Sequence, residues 1–190
     1  AAGHEAVGDL DPAVGVIGLV GVAGGDGDGR ERLVAADQVD ELAGRLGIVR
    51  HDRPLATITV SAGHPDKAYH ANGWVEVAHG LMARGYRIAF LGGPTDKPIE
   101  LPDTVDLVGK LALGSTLEAV RLSAIHLSAD TGNGHMAAAL GIPAVSVFGP
   151  TDPTAYRPYT QNGVVLRNGD RTDAVTPAEI LRAAQELVGR

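Results

Sequence analysis

The 190-residue sequence contains no cysteine, which excludes disulfides, iron–sulfur clusters and thiol catalysis. Aromatic residues are scarce, with two Phe, four Tyr and one Trp, so the core must be built from Val, Leu, Ile and Ala. The formal net charge of −7 argues against nucleic acid or an anionic membrane as a partner. Because no apolar run approaches the roughly 20 residues that span a bilayer, we expect neither a transmembrane segment nor a signal peptide.

Charge is unevenly distributed along the chain. The first 53 residues carry ten acids against five bases, whereas the other 137 carry 13 acids and 11 bases. Residues 24–29 alternate glycine and aspartate as a flexible loop would, and the apolar spacing that follows predicts one helix over 33–46. We therefore interpret residues 1–53 as a lead-in or linker with one helix, and residues 54–190 as a domain.

From residue 54 onward, short apolar runs alternate with helical patterns. We predict strands at 55–60, 86–91, 105–108, 125–129, 144–148 and 164–166, and helices at 71–84, 116–124, 132–140 and 177–188. This alternation predicts an α/β fold of Rossmann-like type, with a mostly parallel sheet and helices on both faces. Ligands bind such sheets at the carboxyl ends of the strands, so the loops that follow the strands are the ones to inspect.

The most informative loop is D-T-G-N-G-H at residues 130–135, after the predicted fourth strand. Asp130 or Thr131 can cap the next helix, and Gly132 lets a ligand approach the backbone. Free amides and the helix dipole would favour an anion there, within reach of His135. The alternative interpretation is an ordinary polar N-cap followed by a helical histidine that faces solvent.

A second loop, S-A-G-H-P-D-K at residues 61–67, follows the first predicted strand. Ala62 and Gly63 can present amides, and Lys67 can neutralise a phosphate. The loop matches neither the G-x-x-x-x-G-K-[ST] nor the G-x-G-x-x-G pattern, which weakens an ATPase or dehydrogenase interpretation. Taken alone, it is more typical of a surface turn.

Two further loops carry single polar candidates. Asp96, after G-G-P at 92–94, could accept hydrogen bonds from ribose hydroxyls, although one carboxylate there is more often a turn residue. In F-G-P-T-D-P at 148–153, Thr151 and Asp152 could face the same cleft, or the segment could be a rigid connector. The seven histidines show no metal-ligand spacing, and we expect most of them at the surface or in loops.

Together these loops resemble the C-terminal half of glycosyltransferase family 9, the ADP-heptose heptosyltransferases of the GT-B fold. The resemblance is carried by D-T-G-x-x-H-x-A-A-A-L-G-x-P over 130–143 and by F-G-P-T-D-P over 148–153. It extends from about Leu55 to about Pro158, with Lys67, G-G-P and G-K at 109–110 in the family's order. One departure follows Lys67, where A-Y-H stands in place of the family's usual W-P.

The resemblance implies that residues 54–190 form a nucleotide-sugar (donor) binding domain and that residues 1–53 are a remnant of the interdomain region. The implied donor-binding residues are Ala62, Gly63, Lys67 and His135 at the diphosphate, Asp96 at the ribose, Leu111 beside the adenine, and Asp130, Thr131 and Gly132 at the sugar and phosphates. No metal or other cofactor is implied. The catalytic residue stays unknown, because family members carry their Asp base in an N-terminal acceptor-binding domain for which residues 1–53 are too short.

The implied reaction is transfer of a sugar, a heptose by preference, from an ADP-sugar donor to a hydroxyl of a glycan or lipid-linked acceptor, with inversion. It would belong to lipopolysaccharide biosynthesis, in the cytoplasm or peripheral to the inner face of the membrane. Two alternatives stay open. One is a nucleotide or nucleotide-sugar binding module without turnover. The other is a nucleotide-sugar epimerase of similar fold, although the carboxylates and basic cluster that such an enzyme needs are not found.

Overall fold

The computed structural model describes Gly44 and residues 53–189. The chain divides into two units, residues 1–35 and 36–190, and all described residues lie in the second unit. Gly44 is helical, but the rest of the helix predicted over 33–46 lies outside the described residues. The same holds for most of the predicted linker, so the boundary near residue 53 stays a prediction.

The described residues form a single parallel sheet of six strands. The strands are β1 (Leu55–Thr59), β2 (Arg87–Leu91), β3 (Thr104–Asp106), β4 (Ile125–Ala129), β5 (Ala144–Val147) and β6 (Gly163–Leu166). Their order is β3-β2-β1-β4-β5-β6, and every neighbouring pair is parallel. The predicted Rossmann-like sheet is therefore confirmed. The strand order reverses between β1 and β4, which is where such folds leave a crevice for a ligand.

Helices cover both faces of this sheet, as predicted. They are α1 (Ala71–Met82), α2 (Leu113–Arg121), α3 (Gly132–Ala139), the single turn α4 (Pro153–Tyr156) and α5 (Pro177–Val188), with 3-10 turns at Pro65–Lys67 and Thr172–Ala174. Helix α1 packs against α5 on one face, and α2 packs against α3 on the other. Within the described part of the chain, no helix is long and apolar enough to cross a membrane.

The pleat of the strands divides the core into two clusters. In β2, Ile88 and Phe90 join the cluster beneath α1 and α5, while Ala89 and Leu91 join the cluster beneath α2 and α3. The second face also buries polar side chains from the three strands nearest the crevice: Thr57, Thr59, His126, Ser128 and Ser146. The crevice therefore lies above a partly polar layer.

His126 is the exception to the expected surface position of the histidines. The other described histidines, at 64, 70, 79 and 135, are exposed, but His126 is fully buried in β4. Its Nδ1 lies 2.9 Å from Thr57 Oγ1. Burial lowers the pKa of His126 to about 3, so the ring is neutral at physiological pH.

Candidate functional site

The loops after β1, β4 and β5 meet at one carboxylate. Asp130 directly follows β4, and its Oδ2 accepts hydrogen bonds from Lys67 Nζ at 2.9 Å and from Thr151 Oγ1 at 2.8 Å. The Asp130 side chain is 9% exposed and that of Lys67 is 31% exposed. Lys67 Nζ also lies 5.8 Å from the ring centroid of Tyr156. The charge of Lys67 is thus held at the carboxyl rim of the sheet, where a ligand can reach it.

The segment that carries Lys67 is fastened to the chain just before α5. Tyr69 Oη donates to the carbonyl of Val175 at 2.8 Å, and Thr172 Oγ1 donates to the carbonyl of Ala68 at 2.7 Å. Burial, with a smaller contribution from nearby carboxylates, raises the pKa of Tyr69 to about 12, so its hydroxyl stays a donor at neutral pH. These bonds fix the position of the 3-10 turn at Pro65–Lys67 relative to the segment before α5.

Helix α3 begins immediately after the carboxylate. Thr131 occupies the N-cap position but makes no side-chain capping bond, and its buried Oγ1 has no hydrogen-bond partner among the described residues. The prediction that the Asp130 or Thr131 side chain caps α3 is wrong, because Asp130 turns towards Lys67 and Thr151 instead. The amides of the first turn therefore lack a capping side chain. A Cβ placed on Gly132 would meet nothing within 4 Å, so the approach to these amides is open.

The first turn of α3 carries two polar side chains with different surroundings. His135 is exposed and lies on the same rim of the sheet as Lys67. Asn133 points inward, and its Nδ2 donates to Thr59 Oγ1 at 2.8 Å. This bond joins the start of α3 to the end of β1 across the crevice, and so sets the spacing between the two loops that carry the candidate residues.

Asp96 ties the loop after β2 to the loop after β1. Its Oδ2 accepts a hydrogen bond from the Ser61 hydroxyl and another from the Gly93 amide at 2.5 Å. Both bonds use Oδ2, and among the described residues Oδ1 has no hydrogen-bond partner, so it can accept from a ligand hydroxyl. Ala62 and Gly63 follow Ser61 directly, and a Cβ on Gly63 would meet nothing within 4 Å. The backbone of this loop is therefore open to a ligand.

Leu111 lies apart from the other candidate residues. It follows β3 at the edge of the described sheet and is half-buried against the cluster beneath α2 and α3. Its loop contacts the loop after β2 through the backbone, because the Gly109 amide donates to the Gly92 carbonyl at 3.1 Å. The structure thus brings Lys67 and Asp130 together and leaves Leu111 two strands away from β1.

Sequence reasoning missed several residues that support the site. Ser61 could have been found, because it is the first hydroxyl after β1 at the rim where Asp96 also lies. Tyr156 beneath Lys67 stands in a proline-flanked turn, which is a weak signal. Thr172 gives no signal in the sequence, since its partner Ala68 is 104 positions away. In the described part of the chain, no group of three His, Asp or Glu side chains could hold a metal ion.

Comparison with known protein families gives a match for this chain. The model of glycosyltransferase family 9 (heptosyltransferase) matches residues 28–179. Lipopolysaccharide heptosyltransferase 3 of Escherichia coli K12 is 25% identical over 152 residues, which cover 75% of this chain and 43% of that protein. The chain spans between a third and about two fifths of the length of the curated relatives it matches.

Solved structures show the same fold. The E. coli ADP-heptose lps heptosyltransferase II superposes with a TM-score of 0.71 at 20% identity, over 83% of this chain and 53% of that chain. The E. coli heptosyltransferase WaaC with ADP superposes with a TM-score of 0.64 at 24% identity, over 76% of this chain and 48% of that chain. At these identities the likeness shows the fold alone, and it covers about half of each structure.

Proposed function

This chain belongs to glycosyltransferase family 9, and from that premise we propose that residues 54–190 bind the nucleoside diphosphate of a nucleotide sugar. An ADP-sugar is the preferred donor, and a heptose is the preferred sugar. One observation carries the proposal. The Lys67 ammonium and the uncapped start of α3 lie side by side at the reversal of strand order between β1 and β4.

A diphosphate suits this arrangement for electrostatic reasons. The first amides of a helix have no intrahelical acceptors, and the helix dipole adds partial positive charge at the same point. Lys67 contributes a full charge there, and its ammonium has three N–H donors that a phosphate can take over from Asp130. Donors fixed in this way stabilise the charge that develops on a departing diphosphate.

We assign the remaining donor contacts by position. The amides of Ala62 and Gly63, together with His135, bind the phosphates alongside Lys67. Asp96 accepts a ribose hydroxyl through its free Oδ1, and Leu111 packs beside the adenine. The supporting observations are the open backbone at Gly63 and the unused oxygen of Asp96.

We assign the contacts with the sugar to the residues at the start of α3. Asp130, Thr131 and Gly132 touch the sugar and the phosphates in this proposal. Thr131 Oγ1 is buried without a partner among the described residues, and rotation of this side chain towards a ligand hydroxyl or phosphate oxygen would satisfy it. The open space in front of Gly132 admits such a ligand.

The complete enzyme would transfer the sugar to a hydroxyl of a glycan or lipid-linked acceptor. A base on an N-terminal acceptor-binding domain takes the hydroxyl proton, the oxygen attacks the anomeric carbon, and the bond to the diphosphate breaks on the opposite side, with inversion. The reaction would take place in the cytoplasm, at the inner face of the membrane where the acceptor is lipid-linked. The names of the relatives, which are lipopolysaccharide and lipooligosaccharide heptosyltransferases, support this acceptor class.

Calorimetric titration of the chain with ADP, ADP-heptose, UDP and GDP tests the donor assignment. We expect ADP and ADP-heptose to bind more tightly than UDP and GDP. If none of the four binds at millimolar concentration, the proposal is wrong. Addition of a separately expressed acceptor-binding half and an acceptor then tests transfer. Donor binding without transfer in that mixture would favour a binding module.

A further inference from the structure

We propose that Thr151 is a positioning residue for the donor site, and that its hydroxyl holds Asp130 so that Lys67 is released to the phosphates of the ligand. This inference rests on the proposed function, because it concerns the same diphosphate. It adds a residue from the β5 loop to a site otherwise assigned to the loops after β1, β2, β3 and β4.

The geometry shows one oxygen with two donors. Lys67 Nζ and Thr151 Oγ1 both bind Oδ2 of Asp130, at 2.9 Å and 2.8 Å. With its side chain only 9% exposed, Asp130 gains little solvation from water. A buried carboxylate without partners is costly, so Asp130 needs at least one of these two donors at all times.

Ligand binding would change the balance between these two donors. A diphosphate at the start of α3 is an anion next to Asp130, and it competes with that carboxylate for Lys67. If Lys67 turns to the phosphate, the Thr151 hydroxyl still satisfies Oδ2. Without that hydroxyl, Asp130 depends on Lys67 alone and holds it more firmly, so the ligand must compete harder for the ammonium.

The loop that carries Thr151 is rigid enough to keep this hydroxyl in place. Pro150 precedes it and Pro153 begins α4, while Asp152 caps that turn by accepting from the Thr154 amide at 2.9 Å. On the other side, Arg167 Nε donates to the Gly149 carbonyl at 2.8 Å. Because the backbone is held on both sides, the Thr151 hydroxyl is set towards Asp130 before any ligand arrives.

Removal of the hydroxyl tests the proposal directly. We expect Thr151→Val to weaken ADP binding about threefold to tenfold in calorimetry, the effect of one lost hydrogen bond. Thr151→Ser, which keeps the hydroxyl, should bind within about twofold of wild type. Thr154→Val is the matched control, because it removes a hydroxyl that bonds Asp152 and not Asp130 and leaves the capping Thr154 amide in place, so it should bind like wild type.

A double-mutant cycle separates positioning from a purely structural effect. In an Asp130→Asn background the neutral amide no longer holds Lys67 by charge. Adding Thr151→Val to that background should change the Kd for ADP less than about twofold. If the full loss persists there, Thr151 acts by some route other than Asp130 and the proposal is wrong.

The folding of the variants and the ADP binding of wild type separate the remaining outcomes. Thermal unfolding of each variant checks that it is folded, and Thr151→Ala replaces Thr151→Val if the valine variant is not. If wild type binds ADP and both hydroxyl-free variants bind it equally well, the positioning role is wrong while the proposed function stands. If wild type itself binds no ADP, the proposed function fails, and this inference fails with it.

Discussion

At the scale of single residues, Lys67 carries the positive charge on which the proposed diphosphate site depends. We expect Lys67→Ala to weaken ADP binding by about 1–3 kcal/mol, because it removes charge-assisted hydrogen bonds to phosphate. Calorimetry at fixed ionic strength measures the change. Arg84→Ala is the control, since Arg84 bonds the Gly80 carbonyl at 2.7 Å at the far end of α1, on the opposite rim. Equal losses in the two variants would mean that only overall charge matters.

His135 makes a second, independent test of the same rim. His135→Ala should also weaken ADP binding, by one lost hydrogen bond or ion pair. His79→Ala serves as its control, because His79 is likewise exposed and helical but lies in the last turn of α1. If the Lys67 and His135 variants both bind ADP like wild type, the site has been misplaced.

His126 makes the free energy of unfolding depend on pH. Its pKa is lowered to about 3 in the folded state against 6.5 for the unperturbed group, so below pH 6.5 the unfolded chain binds the proton more readily. This contribution to stability is complete above pH 6.5 and is lost as the pH falls towards 3. We expect a loss of about 2 kcal/mol between pH 8 and pH 5.

Urea unfolding at the two pH values measures that loss. The control is His126→Asn, which keeps a polar side chain near Thr57 but cannot titrate in this range. Its stability should change with pH by about 2 kcal/mol less than that of wild type. Parallel pH profiles for the two proteins would show that His126 does not set the difference.

The sequence was sufficient to identify loop residues that could form the site, but not to predict which of them bond each other. The D-T-G-x-x-H pattern and Lys67 after a strand were each compatible with an anion site, and only the family resemblance of the loops together favoured it over a polar N-cap and a surface turn. The ion pair of Lys67 with Asp130 joins residues 63 positions apart, and Thr151 is 21 positions from Asp130. Such pairings depend on the register of neighbouring strands, which no local pattern specifies.

At the scale of structural elements, the loop after β5 packs closely against the segment that leads into α5. A Cβ on Gly149 would lie 2.8 Å from the Thr172 amide nitrogen, which is backbone and cannot rotate away. We expect Gly149→Ala to lower the free energy of unfolding by about 1–3 kcal/mol, as overpacking does.

Chemical denaturation of Gly149→Ala beside Gly114→Ala measures this effect. A Cβ on Gly114, near the start of α2, would meet nothing within 4 Å, so that variant should be at least as stable as wild type. If Gly149→Ala is as stable as Gly114→Ala, the backbone contact with Thr172 is not tight in solution.

The bounds of a helix could be predicted where capping residues mark its ends in the sequence. Helix α5 has the predicted bounds, because Thr176 and Glu179 form a capping box and Pro177 takes the first position. Helix α2 begins at Leu113, three residues before the prediction, since its N-cap Ala112 makes no side-chain bond that a sequence pattern could show. The turn Pro153–Tyr156 was missed because four residues are too few for a periodic pattern.

At the scale of the whole molecule, the parallel sheet with helices on both faces could be predicted from the alternation of strands and helices, but its strand order was not predicted. Right-handed crossovers between parallel strands place successive helices on defined faces, so a two-faced sheet was expected. The polar layer beneath α2 and α3 was not expected, because Thr57, His126 and Ser128 look like ordinary alternating positions in short strands. The small residues of α3 let that helix approach the serines of this layer closely. A Cβ on Gly134 would lie 3.0 Å from Ser128 Oγ.

The central claim is that a nucleoside diphosphate binds at the crevice between β1 and β4. The most direct test is to titrate the isotope-labelled chain with ADP and to follow its amide chemical shifts. We predict the largest shifts at residues 61–67 and 131–135, and none at the opposite rim around Gly85 and Gly141. Shifts confined to that opposite rim would contradict the account. So would shifts confined to the cavity of about 520 Å³ lined by residues 98–102, Thr104 and Asp106.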